Sequence, residues 1–183
     1  YRTLGRTGFE ICDVSYGGIP ENSNVIRYCY DKGINYFDTA ESYGNGASET
    51  RIGEAMQNMD RSKIFITTKL HFPEETTREQ IVDRFNSSLG RMQTSYADAL
   101  YIHNVDNVAM LSHEGFHGAV DQLKAEGKLK HAGVSYHGPQ GERGEPMDEV
   151  LIAAANDGRY DLMLLVYNHM AREEGERILA ACK

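Results

Sequence analysis

Short apolar runs and longer amphipathic segments alternate along most of the chain. The short runs predict strands at residues 14–17, 34–38, 64–69, 97–103, 129–135 and 161–166. The amphipathic segments predict helices at residues 24–32, 48–59, 77–92, 115–126, 147–156 and 174–182. In the third helix, Ile81, Phe85 and Leu89 have the spacing of one apolar helix face. Strict alternation of strands and helices predicts an α/β fold with a parallel sheet.

This order of elements favours a (β/α)₈ barrel of the TIM type. Residues 2–11, with Gly5 and Gly8 at the turn, predict a β-hairpin that covers the bottom of the barrel. The chain holds only about six βα units in 183 residues, whereas a complete barrel typically needs about 250. We therefore expect a single, apparently incomplete barrel domain over residues 1–183. Ser48 is the predicted N-cap of the second helix.

Composition narrows the class of protein. With 40% hydrophobic and 25% charged residues, the chain resembles an ordinary globular domain. A net charge of −8 argues against nucleic-acid binding. The sequence has no long apolar run and no leader-like start, so we expect a cytoplasmic protein without membrane contact. Cys12, Cys29 and Cys182 lack the spacing of a disulfide or metal framework, which predicts buried free thiols and no metal site.

Four polar side chains follow three consecutive predicted strands. They are Asp38, Tyr43, Lys69 and His103. Parallel strands joined by right-handed crossovers place their carboxyl ends on one face, so these residues can meet there. Taken singly, each has an ordinary explanation: a turn former, a packed ring, a solvated amine and a structural imidazole.

Together, however, the four residue types suit carbonyl reduction. A lysine ammonium beside a tyrosine phenol favours the phenolate, which makes the phenol a better proton donor. A lysine in a poorly hydrated pocket needs a carboxylate partner, and an imidazole can hydrogen-bond the substrate oxygen. The set therefore predicts proton transfer to a developing alkoxide.

Several ordered stretches extend this pattern over essentially the whole chain. They are residues 33–40 (GINYFDTA), 43–44, 48–53 (SETRIG), 67–69 (TTK), 88–89, 101–103 (YIH), 127–129 (GKL) and 133–135 (GVS). In these stretches the chain closely resembles the aldo-keto reductases. The resemblance implies a (β/α)₈ barrel that uses NADP(H) or NAD(H), with the family leaning to NADP(H), to reduce a small-molecule aldehyde or ketone. It also implies that Tyr43 is the general acid, that Lys69 and Asp38 tune it, and that His103 orients the carbonyl.

The resemblance also implies a set of cofactor contacts. Gly17 and Gly18 match a turn that lets the nicotinamide ribose approach the backbone, and Asp38 lies beside it. Ser135 matches the position that holds the nicotinamide carboxamide. Tyr136 stands where many members have Asn, and Leu164 where the usual Gln lies, so cofactor contacts at these positions are expected to differ from the family pattern.

Other interpretations remain open at this stage. Residues 135–137 and 167–170 look more like a branch of the family that carries an additional iron-sulfur segment, whose cysteines would have to follow Lys183. A non-catalytic or regulatory barrel subunit of the same fold is the main alternative function. A metal-dependent hydrolase built on Asp38 and the histidines is a weaker one, and His113 and His117 have the i, i+4 spacing of a helical metal pair. Substrate, oligomeric state and the choice between NADP and NAD stay undetermined.

Overall fold

Six parallel strands form one sheet in chain order. The computed structural model describes residues 1–140 and 143–183. The sheet strands are β3 (Tyr16–Gly17), β4 (Tyr36–Asp38), β5 (Phe65–Leu70), β6 (Ala97–His103), β7 (Leu129–Tyr136) and β8 (Leu162–Leu165). An antiparallel hairpin, β1 (Arg2–Thr3) and β2 (Glu10–Ile11), precedes them. Within the described residues β3 and β8 do not pair, so the sheet is a half-barrel.

A helix follows each strand of the sheet. These helices are α1 (Ser23–Asp31), α2 (Ala47–Met56), α3 (Arg78–Met92), α4 (Glu114–Ala125), α5 (Met147–Asp157) and α6 (Arg172–Ala181). Short 3₁₀ turns lie at Gly5–Thr7, Arg61–Lys63 and Val108–Ser112. The predicted α/β fold of the TIM-barrel type, with six βα units, is confirmed. No helix in the described ranges is both long and apolar enough to cross a bilayer.

The two faces of the sheet bury different side chains because successive strand residues point to opposite sides. The outer face packs against the helices and forms the larger core, to which Phe37, Ile66 and Leu100 belong. The inner face holds a smaller cluster, which consists of Tyr36, Phe65, Ala99, Tyr101 and Leu162, with Leu4, Phe9, Ile11 and Leu164 packed against it. The hairpin thus fills the end of the half-barrel where the strands begin, as predicted.

Gly133 makes room for the largest ring of the inner cluster. A Cβ atom at this position would lie 2.5 Å from the Tyr101 ring and 2.8 Å from the Leu162 carbonyl oxygen. Tyr101 is 1% exposed, so its ring has no free space to move into. A larger residue at 133 would therefore displace the ring that fills the interior.

Two local predictions are wrong. The N-cap of α2 is Gly46, with φ of 86°, and Ser48 lies in the first turn of the helix with its side chain fully buried. Gly46 is required there because a Cβ atom would meet the Arg91 side chain at 2.6 Å. The three cysteines are free as predicted but not buried: Cys12 and Cys29 are half-buried, and Cys182 is exposed.

Candidate active site

The four residues singled out in the sequence converge where strands β4, β5 and β6 end. Lys69 Nζ donates to Asp38 Oδ2 at 2.5 Å and to the Thr39 carbonyl oxygen at 2.8 Å. The same nitrogen lies 3.5 Å from the Tyr43 hydroxyl oxygen. The Tyr43 and His103 rings meet edge to face, with centroids 5.6 Å apart. An acid, an amine, a phenol and an imidazole thus share one small volume.

The ammonium of Lys69 is completely buried, at 0% exposure. Such a charge is tolerated only when it is paired and hydrogen-bonded. The Asp38 carboxylate supplies the counter-charge, and Asp38 itself accepts a second hydrogen bond from Thr67 Oγ1 at 2.8 Å. These bonds leave the amine little freedom, so its position relative to Tyr43 is fixed.

A chain of hydroxyl groups continues from this ion pair into the interior. The hydroxyl oxygens of Tyr36 and Tyr101 lie 3.1 Å apart, and Tyr36 donates to Thr67 Oγ1 over 3.5 Å. Burial, followed by the charge of Asp38, raises the pKa of Tyr36 to about 12. Tyr36 therefore remains a neutral donor and orients the threonine that binds the carboxylate.

His103 is held in its neutral form. Burial and the nearby Lys69 ammonium, with smaller contributions from His71 and His137, lower the pKa of His103 to about 4. At neutral pH its ring therefore offers one N–H donor and one acceptor nitrogen instead of a positive charge. A neutral imidazole next to Tyr43 can orient a carbonyl oxygen without competing as an acid.

This low pKa predicts a pH dependence of stability. The unfolded chain protonates His103 below about pH 6.5, whereas the folded protein resists protonation down to about pH 4. The contribution of His103 to the free energy of unfolding should therefore fall as the pH drops through this window. Urea denaturation of the wild type and His103→Gln at pH 7 and pH 5 measures it. Equal pH dependence in both proteins would contradict the assignment.

The loop that carries Tyr43 is tied to the end of β5 and to α3. The Glu41 N–H donates to the Lys69 carbonyl oxygen at 3.2 Å. The Glu41 carboxylate pairs with the Arg84 guanidinium, which also donates to the His71 carbonyl oxygen at 2.7 Å. One arginine thus holds the loops that follow β4 and β5, and with them Tyr43 and Lys69.

Three of the predicted cofactor positions lie beside these four residues. A Cβ atom added at Gly17 would be 3.5 Å from the Asp38 side chain, so the turn passes directly over the carboxylate. Gly18 has φ of 101°, which favours glycine. Ser135 faces the interior, pairs with His103 across β6 and β7, and lines a cavity with it.

Tyr136 does not join this group. Its side chain is fully buried in the outer core, and its hydroxyl donates to the Glu145 carbonyl oxygen at 2.8 Å. Since adjacent strand residues face opposite sides, Ser135 and Tyr136 cannot both point into the site. Any contact of residue 136 with a ligand would involve its main chain.

A cavity of about 370 Å³ opens above His103. The described residues that line it have polar side chains: Ser42, His71, His103, Asn104, Ser135, His137 and Gln140. A second cavity, of about 270 Å³, shares His71, His103 and Asn104 and is also lined by Glu74 and Asp106 and by apolar side chains that include Phe72, Ile102, Val105 and Met110. Asn104 adopts φ of 59°, which asparagine tolerates better than most residues. The space next to the imidazole thus has polar side chains on one side and apolar ones on the other.

The two histidines with metal-like spacing have other partners. His113 Nδ1 accepts a hydrogen bond from the Phe116 N–H at 3.0 Å and caps α4. His117 Nε2 lies 2.8 Å from the Leu111 carbonyl oxygen. Over residues 1–140 and 143–183, no group of three or more His, Cys, Asp or Glu residues could hold a metal ion.

Some residues around the site escaped the sequence analysis. Thr67 donates to the Asp38 carboxylate, Thr39 accepts from Lys69 through its carbonyl, and Ser48 hydrogen-bonds Thr39 and Gly18. For Thr67 a signal existed, since it lies two residues before Lys69 and so shares the inner face of β5. For Ser48 none did, because its role depends on how a loop and a helix meet.

A parallel half-barrel with a buried Lys-Asp pair, a tyrosine and a histidine at its strand ends has the architecture of a β/α-barrel domain. The family model described as "Aldo/keto reductase family" matches residues 19–183. The chain belongs to the aldo/keto reductase family.

Relatives and solved structures agree with this membership. A "Putative voltage-gated potassium channel subunit beta" from Schizosaccharomyces pombe is 35% identical over 74% of this chain and 44% of its own length. A "Probable aldo-keto reductase 1" from Glycine max is 32% identical with the same coverage. The holo form of an aldo-keto reductase from Bacillus halodurans is 22% identical with a TM-score of 0.76, covering 99% of this chain and 63% of that one. The chain thus spans less than half of the length of these two curated relatives.

Proposed function

We propose that the protein is an NAD(P)H-dependent oxidoreductase that reduces an aldehyde or ketone to an alcohol. The observation that carries this proposal is the position of Lys69 Nζ, which contacts both the Asp38 carboxylate and the Tyr43 hydroxyl. This arrangement places a positive charge next to a phenol at the strand ends, above the packed inner cluster. It is suited to deliver a proton to an oxygen that is becoming negative.

Each of the four side chains has a distinct part in this reaction. Tyr43 donates the proton to the carbonyl oxygen. Lys69 stabilises the negative charge that the phenol oxygen of Tyr43 acquires in this step. Asp38 keeps the buried ammonium neutralised and oriented. Neutral His103 hydrogen-bonds the carbonyl oxygen and so directs it toward Tyr43.

Three residues on the chain fit a nicotinamide cofactor. The Gly17–Gly18 turn lacks side chains that would block a ribose, and the inward hydroxyl of Ser135 can bind a carboxamide. Leu164 offers no hydrogen bond where it faces Ser135 across the strand pair. When bound, the reduced nicotinamide supplies the hydride. We favour NADP(H), because a related structure from Klebsiella pneumoniae, with a TM-score of 0.73, is a complex with NADPH.

The cavity above His103 indicates the kind of carbonyl compound that fits. Small-molecule sites usually combine apolar walls with a few polar groups, and here the described side chains above His103 are polar while Phe72, Ile102 and Met110 line the adjoining cavity. Glu74 and Asp106 in the adjoining cavity disfavour an anionic ligand. A neutral, hydroxylated aldehyde or ketone is therefore the substrate class that we propose.

Two measurements on the full-length protein test the proposed function. We expect NADPH to bind, as judged by its fluorescence, and to be oxidised when glyceraldehyde, a neutral hydroxylated aldehyde, is added. Activity should persist in the presence of a chelator. If NADPH binds but no carbonyl compound in a broad panel is reduced, the catalytic proposal fails.

A second candidate is a regulatory barrel subunit. Three relatives carry names of voltage-gated potassium channel beta subunits, from Schizosaccharomyces pombe, Oryza sativa and Arabidopsis thaliana. Such a role would use the outer helix surface and would not require turnover. This role would be favoured if the Tyr43→Phe variant co-purified with a membrane protein. The cytoplasmic location stays a prediction, and the described residues give no support to an iron-sulfur cluster.

A further inference from the structure

Ser48 is a buried serine whose three hydrogen bonds all lead to the active site. It lies in the first turn of α2 and has 0% exposure. Its hydroxyl donates to the Gly18 carbonyl oxygen at 2.7 Å and accepts from Thr39 Oγ1 at 2.8 Å. Its main-chain N–H donates to the Tyr43 carbonyl oxygen at 3.2 Å. One residue therefore joins the loop after β3, the end of β4 and the Tyr43 loop.

Each of these partners holds a part of the site. The Thr39 carbonyl accepts a hydrogen bond from Lys69 Nζ, so the residue that donates to Ser48 also fixes the amine. The Tyr43 backbone carries the phenol. Two residues, Ser48 and Thr39, thereby connect the main chain of Tyr43 to the ammonium of Lys69.

The spacing between that donor and the amine is sensitive to displacement. Lys69 Nζ and the Tyr43 hydroxyl are 3.5 Å apart, at the outer limit of a hydrogen bond. A shift of the loop away from β5 by a few tenths of an ångström would break this contact. The bonds of Asp38 and Thr39 hold the amine in place, so what remains to be fixed is the loop.

We propose that Ser48 is a positioning residue that sets the distance between the Tyr43 phenol and the Lys69 ammonium. This inference rests on the proposed reductase function. The simpler explanation is a buried serine that only stabilises the fold. The two explanations differ because a purely structural serine would affect unfolding and leave the rate per folded molecule unchanged.

The decisive comparison is Ser48→Ala against Ser88→Ala in the full-length protein. Ser88 is also fully buried in a helix, and it accepts a hydrogen bond from Arg91 at 3.1 Å, outside the site. Both changes remove a buried hydroxyl. We expect Ser48→Ala to lower kcat by about tenfold to a hundredfold at saturating NADPH and aldehyde, since small misplacements of reacting groups are costly. Ser88→Ala should keep the wild-type kcat.

A second variant keeps the test decisive should Ser48→Ala fail to fold. Thr39→Val removes the hydroxyl that donates to Ser48, preserves the side-chain shape and retains the carbonyl that binds Lys69. It should also lower kcat and raise the solvent deuterium isotope effect, because proton transfer becomes slower. In the double variant Ser48→Ala/Thr39→Val the two decreases in kcat should not multiply, because both substitutions break the same hydrogen bond between Thr39 and Ser48.

The outcomes separate this inference from the proposed function. Unchanged kcat per folded molecule in both single variants, even with a lower melting temperature, would overturn the positioning role. An equal loss in Ser88→Ala would do the same. A wild-type protein that does not oxidise NADPH with any carbonyl compound would overturn the proposed function and this inference together.

Discussion

Tyr43→Phe should lower kcat by about 10² to 10⁴-fold while NADPH affinity stays within a small factor of the wild type. The substitution removes only the hydroxyl that lies 3.5 Å from Lys69 Nζ. The ring remains, so its edge-to-face contact with His103 and its approach to the ammonium, 4.8 Å from the ring centroid, are retained. Steady-state NADPH oxidation gives kcat, and fluorescence titration gives the dissociation constant.

Tyr28→Phe is the matched control for this variant. Tyr28 lies on α1, is 64% exposed and contacts Lys32 instead of the site. The same chemical change there should leave both constants unchanged. Full turnover in Tyr43→Phe would show that another group donates the proton, and the assignment of the general acid would be wrong.

Lys69→Met should affect both turnover and stability strongly. The methionine fills much of the same space but leaves Asp38 in a nearly closed site without its cation. Loss of one partner of a buried ion pair typically costs about 3 to 5 kcal/mol. The phenol of Tyr43 also loses the charge that assists proton transfer. Urea denaturation measures the free energy of unfolding, and kcat is determined under conditions where the variant is folded.

Lys69→Met/Asp38→Asn separates these two effects. Removing the uncompensated carboxylate charge should restore part of the stability, but not the activity, because the ammonium is still absent. Lys130→Met serves as a control, since Lys130 pairs with Asp98 away from the site and is half exposed. Recovery of turnover in the double variant would mean that Lys69 serves folding alone.

Hydrophobic patterning predicted the strands of the sheet well, because their buried positions form short apolar runs that stand out from the polar segments around them. The bounds of β6 agree with the prediction, and β7 runs one residue further, to Tyr136. The start of α2 was predicted incorrectly, since a serine before a helical pattern resembles a cap. Gly46 takes that position because only a residue without a side chain fits next to Arg91. That contact is between distant parts of the chain, and sequence pattern does not reveal it.

The sequence likewise places some residues of the candidate site and not others. Asp38, Lys69 and His103 could be placed from strand ends alone, because parallel strands carry their last residues to a common face. Tyr43 was placed with them by the same argument, although it lies on a loop beyond β4 whose path the strand ends do not fix. Tyr136 was assigned to the cofactor although strand alternation already directs it outward. The network around Ser48 depends on hydrogen-bond distances that only the folded chain defines.

The packed inner cluster limits the directions from which a ligand can approach the site. Tyr36, Phe65 and Tyr101 fill the interior beneath Lys69, and the hairpin closes the far end. In the part of the chain that the structure describes, these side chains block the approach to the amine from below. We therefore expect the cofactor and the carbonyl compound of the proposed reaction to approach from the strand ends.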